Sequence, residues 1–163
     1  MTLKVFDPKA IDTKKVPPPT KSLLYVEDED TNWEVTEFAL RDRYHLTRAR
    51  NAAECFATLA RKRFDLLLMD IQLSGSDLNG MDLTRILKGK FTGQVPTYGQ
   101  GITTPDLPII FVTAYTARYN KQDLIAAGGA DLITKPVNFT ALSLAVSRLL
   151  LQATQKRIES MRK

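Results

Sequence analysis

Uninterrupted apolar blocks recur along this chain, and each ends on a charged or hydroxyl residue. Leu23-Leu24-Tyr25-Val26 runs into Glu27-Asp28, and Leu66-Leu67-Leu68-Met69 runs into Asp70. Ile109-Ile110-Phe111-Val112 runs into Thr113, and Leu132-Ile133-Thr134 runs into Lys135. Short blocks of this kind, separated by helical patterns, predict strands buried on both faces of a parallel sheet. In such open α/β sheets the ligand crevice lies beyond the carboxyl ends of the strands. Three acids, a hydroxyl and an ammonium group are therefore expected to converge on one small site.

The element boundaries follow from the same pattern. Strands are predicted over 22–26, 44–49, 65–71, 107–113 and 131–134. The first helix spans 31–41, with Val35, Phe38 and Ala39 on one face and Trp33 near its start. Asn51 N-caps a helix that carries Ala52, Cys55, Phe56 and Leu59. Further helices are predicted over 80–87 and 118–127, the second stopped by Gly128-Gly129 in the left-handed conformation. A long last helix opens at Phe139. The chain is thus βα repeated five times, a doubly wound α/β domain with right-handed crossovers and helices on both faces.

Residues 1–20 read as an extended leader, because Val16-Pro17-Pro18-Pro19-Thr20 cannot continue a helix. The folded domain is expected over 21–150, with no output domain after it. Two segments, near 73–79 and 89–106, are longer than ordinary connections. The first follows strand three and should rim the site. The second enters strand four from its amino end and is expected at the opposite pole, loosely ordered. Residues 151–163 extend the last helix. One stripe of that helix, Leu142, Val146 and Leu149, should pack on the sheet. Another, Leu144, Leu151 and Ile158, repeats every seven residues with Met161 nearby, and offers a route to a homodimer.

Composition narrows the picture. With 44% hydrophobic and 25% charged residues the chain has enough apolar material for one packed core. No apolar run approaches a membrane span, and the first residues lack the apolar region of a signal peptide. A single cysteine excludes an internal disulfide, and Cys55 is expected to pack on its helix as a core thiol. A cytoplasmic location is expected. The net charge of +5 comes largely from lysines and arginines near the two ends. They lack a reading helix or interleaved aromatics, so nucleic-acid binding is not expected. The only histidine, His45, begins strand two away from the acids and is expected to be an exposed strand residue.

Three carboxylates held together repel one another, and a divalent cation removes the conflict. Oxygen donors without histidine or cysteine point to Mg²⁺ or Mn²⁺. Asp28 and Asp70 are expected as direct ligands, Glu27 as a ligand directly or through water, and the backbone carbonyl near Gln72 as a further donor. Asp70 is a candidate nucleophile toward phosphorus, since carboxylates form aspartyl phosphates. The Lys135 ammonium and the Thr113 hydroxyl would meet phosphoryl oxygens.

These pieces resemble the receiver domain of two-component response regulators. The matching segments are Leu24-Tyr25-Val26-Glu27-Asp28-Glu29-Asp30, Leu67-Leu68-Met69-Asp70-Ile71-Gln72, Asn79-Gly80-Met81-Asp82-Leu83, Ile109-Ile110-Phe111-Val112-Thr113-Ala114 and Lys135-Pro136. The resemblance covers roughly 21–150 and implies a flavodoxin-like sheet of strand order 2-1-3-4-5. It implies Asp70 as phosphoacceptor, Glu27 and Asp28 as the acidic pair for Mg²⁺, and Thr113 and Lys135 as phosphoryl contacts. It implies a histidine kinase or a histidine phosphotransfer protein as donor, and a downstream partner on the strand four, helix four, strand five face. It also implies a cis Lys135-Pro136 peptide. Leu132 stands where the family usually carries a switch aromatic, and Tyr115 is expected to take over part of that coupling. Gln72 and Tyr115 should flank the attacking water and set the phosphate lifetime.

Two rival readings remain. A phosphatase of the haloacid-dehalogenase type also uses a strand-end Asp with Thr and Lys, but it needs a second Asp where this chain has Gln72. A degenerate receiver would bind partners without phosphorylation, and the intact set Glu27, Asp28, Asp70, Thr113 and Lys135 argues against it. The expected function is a phosphorylatable switch rather than a turnover enzyme.

Overall fold

The computed structural model describes residues 20–114 and 118–162. Strands β1 (Lys21–Val26), β2 (Tyr44–Ala49), β3 (Leu66–Met69), β4 (Ile109–Thr113) and β5 (Asp131–Thr134) alternate with helices α1 (Asp30–Leu40), α2 (Ala52–Arg61), α3 (Gly80–Leu87), α4 (Lys121–Ala127) and α5 (Phe139–Met161). The strands form one parallel sheet of order β2-β1-β3-β4-β5. This is the order and the fold class that the family resemblance implies.

Alternate residues of each central strand enter opposite layers, because side chains alternate across a strand. Leu24, Val26, Leu67, Met69, Ile109 and Phe111 pack under α2, α3 and α4 with Phe56, Met81 and Leu124. Leu23, Tyr25, Leu66, Leu68, Ile110 and Val112 pack under α1 and α5 with Leu40, Leu142 and Val146. Cys55 is fully buried in the first of these layers, where burial pushes its thiol up to about 12. It is a core thiol. His45 is exposed on β2.

The structure differs from the sequence pattern at several places. On α1 the apolar residues Val35, Phe38 and Ala39 face outward, with Phe38 69% exposed. The core face is Trp33, Thr36 and Leu40 instead, fixed by Trp33 tilting onto Tyr25 at a ring separation of 6.3 Å. The hydroxyl of Thr36 suits this position because it serves the Tyr25 phenol. β4 begins at Ile109 rather than at Leu107, since Pro108 has no N–H to give the ladder. β3 stops at Met69, after which Gly80 N–H donates to Ile71 O at 2.7 Å and turns the chain toward α3. α4 starts at Lys121, not at 118, because the Asn120 and Asp123 side chains form a reciprocal capping box there.

The segment between α3 and β4 is folded, with a 3₁₀ turn at Thr97–Gly99. Phe91, Val95, Tyr98 and Ile102 pack on the α2–α3 layer. Tyr98 tilts onto Phe56, ring centroids 5.8 Å apart, and its hydroxyl donates to Asp77 in the loop after β3. The segment therefore reaches the carboxyl-end loops instead of remaining at the opposite pole. Aromatic burial supplies the reason, which its Gly-, Thr- and Pro-rich composition conceals.

Gly128 ends α4 at φ 112°, as the sequence predicts. On α5, Leu142, Val146 and Leu149 are buried, whereas Leu144, Leu151, Ile158 and Met161 face solvent. Among the described residues no helix is long and apolar enough to cross a membrane.

Candidate functional site

The carboxyl ends of β1, β3, β4 and β5 place the predicted residues around one acidic pocket. Glu27 follows β1 and stays in the sheet plane, its N–H donating to Ala49 O at 2.9 Å. Asp70 follows β3, its N–H donating to Val26 O at 3.1 Å. Carboxylate oxygens of Glu27, Asp28 and Asp70 lie within 4.8 Å of one another. Lys135 follows β5, and its backbone N–H donates to Thr113 O at 3.0 Å, which ties the β5 end to the β4 end. The Lys135-Pro136 peptide is cis.

Lys135 Nζ reaches Asp70 Oδ2 and Glu27 Oε2 at 2.8 Å each. Glu27 is fully buried and its carboxylate is saturated. Oε2 also accepts from Tyr25 Oη at 3.0 Å, and Oε1 accepts from Glu29 N–H at 3.2 Å and Asn32 Nδ2 at 3.3 Å. Asp28 is partly exposed and accepts from Ser74 N–H at 3.0 Å through Oδ2. Asp70 is 5% exposed and Thr113 1%. Gln72 lies exposed on the rim, two residues past Asp70. Tyr115 lies outside the described residues.

Burial pushes the Asp70 carboxyl above the ordinary carboxylate range. The Lys135 hydrogen bond and charge oppose this, Glu27 adds to it, and a hydrogen bond with the Thr113 side chain opposes it again. Burial alone would lower Lys135, but its bonds to Asp70 and Glu27 outweigh that and raise it. Tyr25 is pushed far up, first by burial and then by the Glu27 charge and hydrogen bond, so its phenol remains a donor. The pocket thus holds more negative charge than one ammonium neutralises. An all-oxygen donor set with a partly exposed member fits a hard divalent cation.

Sequence reasoning missed the residue that fixes the acidic pair from behind. Arg48 on β2 donates from Nε to Glu27 O at 2.9 Å, from Nη2 to Asp28 O at 3.0 Å and from Nη1 to Asp30 Oδ1 at 2.7 Å. Its side chain is only 11% exposed. One guanidinium fork therefore holds two successive main-chain carbonyls of the β1–α1 loop and the side chain of Asp30, the first residue of α1. The signal was an arginine inside a strand beside the acidic run. Tyr25 was missed because it reads as one more apolar strand residue.

The response regulator receiver domain family matches residues 23–147 of this chain. Among curated relatives, the probable transcriptional regulatory protein TcrX of Mycobacterium tuberculosis is 26% identical over 140 residues, covering 85% of this chain and 53% of that protein. The alginate biosynthesis transcriptional regulatory protein AlgB of Pseudomonas putida is 31% identical over 129 residues, covering 78% of this chain and 25% of that protein. The chain therefore spans about half or less of these relatives' length. Among solved structures, a CheY-like response regulator receiver domain protein from Methanospirillum hungatei superposes with a TM-score of 0.67 at 26% identity, covering 83% of this chain and 98% of that one. The strand-end acids, the sheet order and the match over 23–147 lead to one conclusion: the chain belongs to the response regulator receiver domain family of two-component systems.

Proposed function

We propose that the domain accepts a phosphoryl group on Asp70 from a phosphohistidine of a histidine kinase or phosphotransfer protein. One observation carries this reading: a nearly buried carboxylate stands within 4.8 Å of two other acids and 2.8 Å from a lysine ammonium. An Asp70 oxygen attacks phosphorus, the P–O bond forms as the P–N bond of the donor breaks, and the released imidazole nitrogen takes a proton. Asp28 and Asp70, with the Gln72 backbone carbonyl, would hold Mg²⁺ or Mn²⁺. That cation supplies neutralisation of phosphoryl charge when bound. Glu27, saturated by four donors, fixes Lys135 and would meet the cation only through water. Lys135 passes from the Asp70 carboxylate to a phosphoryl oxygen, and Thr113 donates to another. The product is a mixed anhydride that water later hydrolyses, so the domain is a switch with a lifetime rather than a turnover enzyme. The added charge at Asp70 pulls on Thr113 and Lys135, which stand on the ends of β4 and β5, and reshapes the face formed with α4 for a downstream protein.

Incubation with acetyl phosphate and Mg²⁺, followed by intact-mass measurement, tests the proposal. The expected result is one added phosphoryl group, absent from Asp70→Asn and absent when EDTA replaces Mg²⁺. A folded wild-type protein that binds Mg²⁺ and stays unmodified would instead support a binding module that works without phosphorylation.

A further inference from the structure

The two segments longer than ordinary connections, near 73–79 and 89–106, meet each other. Tyr98 of the second donates its hydroxyl to Asp77 of the first. The Tyr98 ring is anchored on Phe56, and Gly99 beside it is pressed so close to the same ring that an added Cβ would lie 2.9 Å from it. Burial and the Asp77 carboxylate both push the Tyr98 phenol up, which keeps it a donor. Leu73 and Leu78 pack the ends of the β3–α3 loop on the core, and between them Ser76 Oγ accepts from Ala52 N–H at 3.1 Å and Ser74 N–H donates to Asp28 Oδ2 at 3.0 Å.

We infer that Tyr98 is a positioning residue for the cation-binding end of the site, acting through Asp77 and the loop on the Ser74 N–H that orients Asp28. The inference rests on the proposed cation site. Asp28 is the partly exposed member of the acidic cluster, so its rotamer is set by few contacts. The loop's own contacts with Asp28 and α2 are single hydrogen bonds. Docking Asp77 on a ring packed against the buried Phe56 stiffens this loop as a support for Asp28. Outer partners that orient a ligating carboxylate typically change metal affinity by about 10- to 100-fold when removed.

The test uses Mn²⁺ titration by calorimetry on the full chain, with hydrogen exchange at the Ser74 amide as a second readout. Tyr98→Phe keeps the ring on Phe56 and deletes only the donor. It is expected to weaken Mn²⁺ binding about tenfold and to speed exchange at Ser74. Asp77→Leu should do the same, and the double variant should be no worse than either single one, since both cut one link. Asp77→Asn keeps an acceptor for Tyr98 and should bind like wild type, a rescue that general loosening of the loop would not give. Binding by Tyr98→Phe within about twofold of wild type, or loss in Asp77→Asn equal to that in Asp77→Leu, overturns the inference while leaving the function intact. A wild-type chain that takes up no Mn²⁺ overturns the cation site itself, and this inference with it.

Discussion

Lys135 and Glu27 lie 108 positions apart in sequence and meet at 2.8 Å in the interior. The pair is nearly closed to solvent, with Lys135's side chain 12% exposed and Glu27's 0%. Removing one partner of such a pair strands the other charge in a low-dielectric setting, typically at about 3–5 kcal/mol. Lys135→Met is expected to lose stability of that order in urea denaturation with EDTA present. Unchanged stability would show that the ammonium does not hold the acidic pair.

Asp70 is expected to make a contribution to stability that falls with rising pH. Its carboxyl is raised in the folded state above the ordinary value of 3.8, so the folded chain binds more protons than the unfolded one between those two values. The contribution of Asp70 to stability is then greatest below the ordinary value and declines as pH rises through the window up to the folded value. Asp70→Asn removes the titration. The variant should be more stable than wild type at neutral pH, and the gap should close as pH falls toward 4. Thermal melts across the acid range check this, and a wild type less stable than the variant at pH 3 by the same margin as at pH 7 would contradict it.

Mg²⁺ should relieve the same crowding. A ligand that binds only the folded state stabilises it by about 2.7 kcal/mol at a hundredfold excess over its Kd. Melting temperature is expected to rise with Mg²⁺ in wild type and to stay flat in Asp28→Asn. An equal rise in both would remove Asp28 from the ligand set.

Much of this was legible in the sequence because β1, β3 and β4, buried on both faces, leave uninterrupted apolar blocks whose ends are marked by Glu27, Asp70 and Thr113, whereas the edge strand β5 that leads into Lys135 is only partly buried. Asn51 and Gly128 announced helix ends by chemistry that local backbone geometry demands. The α1 face was not legible. Its three apolar positions share a stripe, and only the tertiary contact of Trp33 with Tyr25 decides which side turns inward. Tyr98 was hidden for a related reason, since its partners Phe56 and Asp77 belong to other elements.

Arg48 gives a prediction that separates position from charge. Its fork binds the main-chain carbonyls of Glu27 and Asp28, so its loss lets the acidic pair turn without removing an acid. Arg48→Met is expected to weaken Mn²⁺ binding about tenfold or more. Arg48→Lys restores the charge but cannot span three acceptors, and should recover only part of that affinity. Full recovery by lysine would mean that the guanidinium acts as a charge rather than as a brace.

Gly80 tests how tightly the backbone behind Asp70 is specified. A Cβ at position 80 would overlap the Asp70 carbonyl oxygen and crowd Ile71 Cα, both main-chain atoms that cannot swing aside. Gly80→Ala must therefore move either α3 or the Asp70 peptide, at a typical overpacking cost of about 1–3 kcal/mol. Gly75→Ala is the matched control. It meets nothing within 4 Å but sits at φ 74°, so it carries the left-handed penalty of roughly 1–2 kcal/mol without pushing on Asp70. Similar stability losses are expected from the two variants in denaturant. Phosphorylation by acetyl phosphate, measured where both remain folded, should slow in Gly80→Ala and persist in Gly75→Ala. Equal rates would show that α3 yields and Asp70 does not.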